Sequence, residues 1–267
     1  VSLRTTVRAL PTLLRVGFSE ALAYRAELLI WVLSTTMPFI MMALWTAVAR
    51  DAPVGRYGPS GFVGYFLATF VVRQLTGAWA AWQINYEVRQ GTLAMRLLRP
   101  ISPLWAYATE NLGAVPMRVL VAVPVAVIAV LVVGPKAVPQ HWWGWPLLLV
   151  SMLGGWLITF LANVCIGTMA LFMESSQKVM DIWLVLFFIF SGYMFPMGIA
   201  PDWMNTISDW LPFRYQIGLP AEVMTGVYSL PETLGLVARQ WLWVVVLLGF
   251  TVTLWRRGLR RFAAYGG

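Results

Sequence analysis

Residues 145–172 read WPLLLVSMLGGWLITFLANVCIGTMALF, without a single Asp, Glu, Lys, Arg or His. About 20 mostly apolar residues suffice for a helix to cross the hydrocarbon of a bilayer, and this run exceeds that length. Gly154 and Gly155 allow another helix to approach closely, and Asn163 is placed to hydrogen-bond to a neighbouring helix or to touch a substrate. Working outward, five more runs qualify or nearly qualify: 28–49, 61–83 (interrupted by Arg73), 112–133, 179–200 and 234–255. The fold class expected is an all-α integral membrane protein with six transmembrane helices. No Gly/Ser-rich linker and no fixed-period repeat divides the chain, so residues 1–267 read as one domain.

Composition agrees. Of 267 residues, 60% are hydrophobic and 11% charged, against roughly 25% charged in a soluble domain. The net charge of +8 does not point to nucleic acid, because no basic stripe interleaves with aromatic side chains. The single cysteine, Cys165, sits in an apolar run without companions for a disulfide or metal and reads as a core residue. Arg4, Arg8, Arg15 and Arg25 are spread through the N-terminal stretch, and no cleavable signal peptide is expected.

Within residues 1–26, Leu10, Leu13, Leu14, Phe18 and Leu22 recur near helical spacing. That predicts an amphipathic helix lying at the interface, broken or kinked by Pro11, or an ordinary cytosolic lead-in helix. With the N-terminus inside, twelve basic residues fall in cytoplasmic segments and five in external ones. This bias predicts both termini on the cytoplasmic side. Residues 201–231 are then the largest external segment. In it Trp203, Ile207, Trp210 and Leu211 predict a short interfacial helix with Asp202 and Asp209 on its wetter side.

The chain carries no catalytic signature. Neither Lys136 nor Lys178 ends a glycine-rich phosphate loop. His141 is the only histidine, and no pair of intramembrane aspartates accompanies it. No catalytic residue, metal or bound cofactor is expected. Arg73 and Gln74 interrupt the second span. A charge at mid-depth is costly, roughly 2.5–3.5 kcal/mol on insertion scales. Arg73 should therefore lie away from lipid, either lining a route or subunit seam that meets an acidic headgroup, or held by a polar neighbour.

The cytoplasmic stretch after the second span, residues 85–100, holds Glu87, Arg89, Gly91, Thr92, Leu93, Met95, Arg96 and Leu97. Leu93, Leu97 and Leu98 share a helical face, Arg89 and Arg96 share a side, Thr92 can cap a helix after Gly91, and Pro100 and Pro103 stop it. A short amphipathic helix here can press into a partner's groove; the plainer reading is a charged loop anchoring two spans.

The run Glu87…Gly91-Thr92-Leu93…Leu97-Leu98…Pro100-Ile101-Ser102 resembles the cytoplasmic loop of ABC-2 type transporter permeases. Ser191-Gly192-Tyr193-Met194-Phe195-Pro196, followed by Pro201-Asp202-Trp203 and Leu211-Pro212, resembles the family's run at the end of the fifth span. Leu98-Arg99-Pro100-Ile101 with Trp105-Ala106-Tyr107 is most similar to a bacterial subgroup of uncharacterised and daunorubicin-resistance-like permeases. The resemblance covers essentially the whole chain; it departs at Ala94 and Arg96, where many members carry an acidic residue after Gly-Thr-Leu. It implies a permease subunit of an ATP-driven exporter in a bacterial inner membrane, for a lipid-like or amphipathic substrate. ATP and Mg would sit on two partner ATPase subunits, and a second permease, identical or related, would complete the route. It implies that residues 85–100 form a coupling helix with Arg89 and Arg96 as rim charges. Ser191 and Tyr193 would join Arg73, Gln74 and Asn163 along the route or seam, and Phe195, Pro196, Trp203 and Trp210 an external gate. The alternatives are a membrane-embedded lipid-modifying enzyme, or a channel or structural subunit.

Overall fold

The computed structural model describes residues 3–23, 30, 35–173 and 176–265. Most of the first half of the expected 28–49 span lies outside them, as do residues 1–2 and 24–26 of the expected interfacial helix. The regular elements among the described residues are helices. In chain order they are α1 Leu3–Ala23, α2 Met37–Val48, α3 Pro59–Thr76, α4 Ala80–Arg89, α5 Leu93–Leu97 and α6 Pro103–Gly113. There follow α7 Val115–Val133, α8 Gly144–Thr168, α9 Gln177–Phe190, α10 Asp202–Trp210, α11 Gly218–Met224 and α12 Leu230–Tyr265. Proline opens α3 and α6, where its missing N–H would have had no partner. α12 begins with half of a capping box: Glu232 accepts both the backbone N–H and the hydroxyl of Ser229.

Among the described residues, three stretches are long and apolar enough to cross a membrane: Pro103–Val133, Gly144–Leu171 and Leu230–Phe262. Three expected boundaries are corrected. The 61–83 run is not one helix, because α3 ends at Thr76 and α4 starts at Ala80. The 179–200 run is α-helical only to Phe190, after which the chain turns at Ser191 and Gly192 and makes a short 3₁₀ turn at Met197–Ile199. The 112–133 run is the second part of a longer rod, in which α6 and α7 meet at Ala114. There Pro116 has no N–H to give the Leu112 carbonyl, so the helix is interrupted without changing element. α1, in contrast, runs on through Pro11.

α8 is the hub, packed against α12, α4, α11 and α3. It is buried along most of its second half, from Gly154 to Thr168. α3 is the second core helix, with Phe62, Tyr65, Phe66 and Phe70 enclosed, flanked by α7 and α2. Cys165 is free and buried, its sulfur 2.9 Å from the Thr251 hydroxyl.

α1 crosses α6 backbone to backbone. A Cβ on Gly113 would lie 2.7 Å from the carbonyl carbon of Gly17. Only two glycines allow this approach, which is how small residues bring helices together in a bilayer. Gly113→Leu should therefore destabilise the protein by about 1–3 kcal/mol and release α1, read as faster trypsin cleavage at Arg15. Unchanged cleavage kinetics would show that the crossing does not hold α1.

Candidate functional site

The break between α3 and α4 is the first unusual feature. Gly77 is extended (φ −64°, ψ 143°), so carbonyls at the end of α3 and N–H groups at the start of α4 lose their helical partners. In an apolar surrounding each would be costly to leave bare. Three side chains from three other helical segments meet them. Arg118 on α7 donates to the carbonyls of Gly77 (2.8 Å) and Gln74 (3.3 Å). Asn111 on α6 accepts from the Trp79 N–H at 3.0 Å. Asn163 on α8 accepts from the Ala81 N–H at 3.4 Å and donates to Thr159. Asn163 thus bonds to a neighbouring helix. Gln74 is buried and its amide nitrogen has no partner. Arg73 is half-buried, its guanidinium over the Phe187 ring at 5.3 Å.

Beyond α4 the chain reverses at Gly91, whose φ of +72° is readily adopted only without a side chain, and then makes α5. The segment is not the single capped helix expected. Thr92 makes no side-chain cap; its hydroxyl points back to the Glu87 carbonyl at 3.5 Å. α5 ends at Leu97, ahead of Pro100, and Pro103 instead opens α6. The three leucines do not share one environment either. Leu93 is fully buried and Leu97 packs on the core, while Leu98 is 80% exposed.

Arg96 holds this corner together, and it is not a rim charge. Its guanidinium donates to both oxygens of Glu87 (2.6–3.1 Å) and to Glu110 on α6 at 2.7 Å. It also stacks on the Tyr107 ring at 4.2 Å. Tyr107 donates its hydroxyl to Glu87, and Gln83 donates to Glu110. The three charged side chains are only 12–17% exposed. Burial by itself would lower the Arg96 pKa, but the hydrogen bonds to Glu110 and Glu87 outweigh it and raise the pKa above the usual arginine value. The outer surface left over carries Tyr86, Met95 and Leu98, which are 64%, 68% and 80% exposed. Arg89, Gly91, Thr92 and Arg99 are exposed beside them.

At the opposite end, the turn after α9 is enclosed by protein. Ser191 is fully buried; its carbonyl accepts the Gly218 N–H and its hydroxyl the Tyr193 N–H. Tyr193 is buried against Phe187 and Phe188. Phe195 is half-buried against Trp45, and Pro196 is buried. α10 forms as expected, with Trp203, Ile207 and Trp210 exposed and Met204 and Ser208 turned inward. Asp209, however, is only partly exposed and is tied into a buried network. It pairs with Arg214, which also reaches the Tyr228 hydroxyl at 2.7 Å and the fully buried Glu222 at 3.4 Å.

A family model described as ABC-2 family transporter protein matches residues 60–266. The chain belongs to that family. No curated protein matches it. This ABC-2 permease is thus a membrane subunit of a transporter, and the match begins at the start of α3 and takes in every site described above.

Several residues that organise the permease carry no obvious sequence signal. Glu110, Tyr107 and Asn111 look like ordinary positions of a helix start, and Glu222 like one acidic residue in a loop. Arg118 had the same signal as Arg73, a lone arginine inside an apolar run, and could have been found by it.

Proposed function

We propose that this permease forms, with a second identical or related permease, the route of an ATP-driven exporter for a lipid-like or amphipathic substrate, and that two separate ATPase subunits dock on the α4–α5 corner. In this reading the chain crosses the bacterial inner membrane six times, through α2, α3, α7, α8, α9 and α12. Both termini face the cytoplasm, as the arginine bias indicates. α10 with Trp203 and Trp210 lies at the external interface, where Phe195 and Pro196 back it as a gate. ATP and Mg belong to the partner subunits.

The observation that carries this reading is the α4–α5 corner. It presents an exposed apolar cluster, Tyr86, Met95 and Leu98, rimmed by Arg89 and Arg99. Behind that cluster the corner is pinned to α6 through Arg96, Glu87 and Glu110. A partner groove would take the apolar side chains, and the rim arginines would tune association. Because the corner is pinned to helices rather than hanging as a loop, its displacement would reach the membrane as a rigid-body movement. Leu93 and Leu97 serve the other side, seating α5 on the foot of α4.

Met95→Asp combined with Leu98→Asp changes only exposed positions, so folding should survive. The ATPase should no longer co-purify, and transport-linked ATP hydrolysis in reconstituted membranes should fall at least tenfold, equivalent to about 1.4 kcal/mol or more of lost docking energy. Retention of both would remove this corner as the docking element and with it the main structural support for coupling.

A further inference from the structure

Arg73 and Arg118 are placed for a ligand that the protein itself does not supply. Among the described residues neither pairs with an Asp or Glu; the ion pairs present are made by Arg96, Arg214 and Arg239. Arg118 spends one nitrogen, Nη1, on the carbonyls of Gln74 and Gly77, and its guanidinium lies over the Trp79 ring at 4.8 Å. Arg73 has the Phe187 ring below it and no hydrogen-bonded acceptor. Gln74, next to Arg73 on α3 and bonded through its carbonyl to Arg118, has a buried amide nitrogen without a partner among the described residues. The two arginines are neighbours: a Cβ on Gly77 would lie 3.1 Å from Arg118 Nη1 and 3.3 Å from the Arg73 carbonyl. Buried or half-buried guanidiniums are ordinarily paired, because an uncompensated charge in a low-dielectric setting is costly.

Their depth identifies the missing anion. Arg73 is fourteen residues from the Pro59 end of α3, about 21 Å along a helix. Arg118 is fifteen residues from the Val133 end of α7, about 22 Å. Arg118 also bonds the carbonyl of Gln74, the residue after Arg73, so both arginines lie toward the Thr76 end of α3. With Pro59 at the far boundary, as the proposed topology has it, a hydrocarbon layer about 30 Å thick leaves Arg73 within about 9 Å of the boundary on the α4–α5 side; the inference rests on that topology. An extended arginine side chain reaches most of that distance, to where the phosphates of that leaflet lie. Guanidinium forks match phosphate oxygens geometrically.

We propose that Arg73, Arg118 and Gln74 form a seat for the phosphate headgroup of an anionic amphiphile drawn from the leaflet on the α4–α5 side. The arginine of Arg118 already fixed on the α3 carbonyls gives the seat a rigid wall, and the Gln74 amide supplies a further donor. The seat does not depend on ATPase docking, so it is tested by equilibrium binding without nucleotide.

The full chain in phosphatidylcholine nanodiscs doped with phosphatidylglycerol provides the measurement, with retained lipid counted by native mass spectrometry. The wild-type protein should retain phosphatidylglycerol over phosphatidylcholine. Arg73→Gln should weaken that retention about tenfold, the loss expected for a hydrogen bond to a charged group, and Arg73→Lys, which keeps the charge but not the fork, should recover only part of it. Arg118→Gln also bares two backbone carbonyls, so Arg73 carries the test. Equal retention by the wild type and Arg73→Gln overturns the proposal. So does displacement of the lipid by excess inorganic phosphate, which would make the ligand a small soluble anion. Loss of dimer in light scattering with unchanged lipid retention would overturn it too, assigning Arg73 to a carboxylate of a second permease.

Discussion

Arg96→Ala should destabilise the permease by about 3–5 kcal/mol, the range for breaking one side of a buried ion pair. Among the described residues, Arg96 is the cation that pairs with both Glu87 and Glu110, and all three side chains are largely enclosed. Without it, two carboxylates face each other beside Tyr107, and α4, α5 and α6 lose the group that bonds them together. Arg96→Lys should recover only part of the loss. An ammonium cannot donate in two directions as a flat fork, nor stack on Tyr107 as the guanidinium does at 4.2 Å. Adding Glu110→Gln to Arg96→Ala should restore some stability by removing one repelling charge. Thermal unfolding of the purified protein in detergent reads all three. A shift for Arg96→Ala no larger than that of an exposed Arg99→Ala control would mean that the cluster contributes little.

The second large effect is expected at the opposite end. Arg214→Met should also cost about 3–5 kcal/mol, because Glu222 is fully buried and would lose its cation. Asp209 and the Tyr228 hydroxyl lose a partner at the same time. The double variant Arg214→Met with Glu222→Gln should be more stable than Arg214→Met alone, since a neutral amide is cheaper to bury than a lone carboxylate. Strict additivity of the two substitutions in unfolding measurements would argue against direct coupling between these residues.

How far the fold is legible in the sequence depends on whether the signal is local. The α8 and α12 runs are legible because helix period and apolar length lie within one stretch. The α10 helix is legible for the same reason, from Trp203, Ile207 and Trp210. The break after Thr76 is not. Gly77-Ala78-Trp79 is an ordinary apolar triplet, and what stabilises the break comes from Asn111, 32 positions from its partner, Arg118, 41 away, and Asn163, 82 away. Arg96 is misread for a related reason. Helical spacing puts it beside Arg89, but the reversal at Gly91 turns it toward Glu87 and Glu110 instead. The end of α9 at Phe190 lies inside an apolar run. Its turn is supported by Gly218 and by Tyr65, whose hydroxyl donates to the Gly192 carbonyl at 2.7 Å. Of the candidate site, the residue types were visible and their partners were not.

The break after α3 also sets the leverage of the protein. α4 has ten residues and is about 15 Å long, pivoted at Gly77 near its inner end and carrying Glu87 and Arg89 near its tip. A swing of about 10° at the pivot would sweep that tip through an arc of about 2.6 Å for an arm of this length. Such a swing would stretch the bonds from Asn111, Asn163 and Arg118 far less, because they sit at the fulcrum, while α5 and α6, tied to the tip through Arg96, would have to travel with it. An unbroken helix would have to tilt along its whole length to give the same stroke, dragging the aromatic core around Phe62, Tyr65 and Phe66 with it.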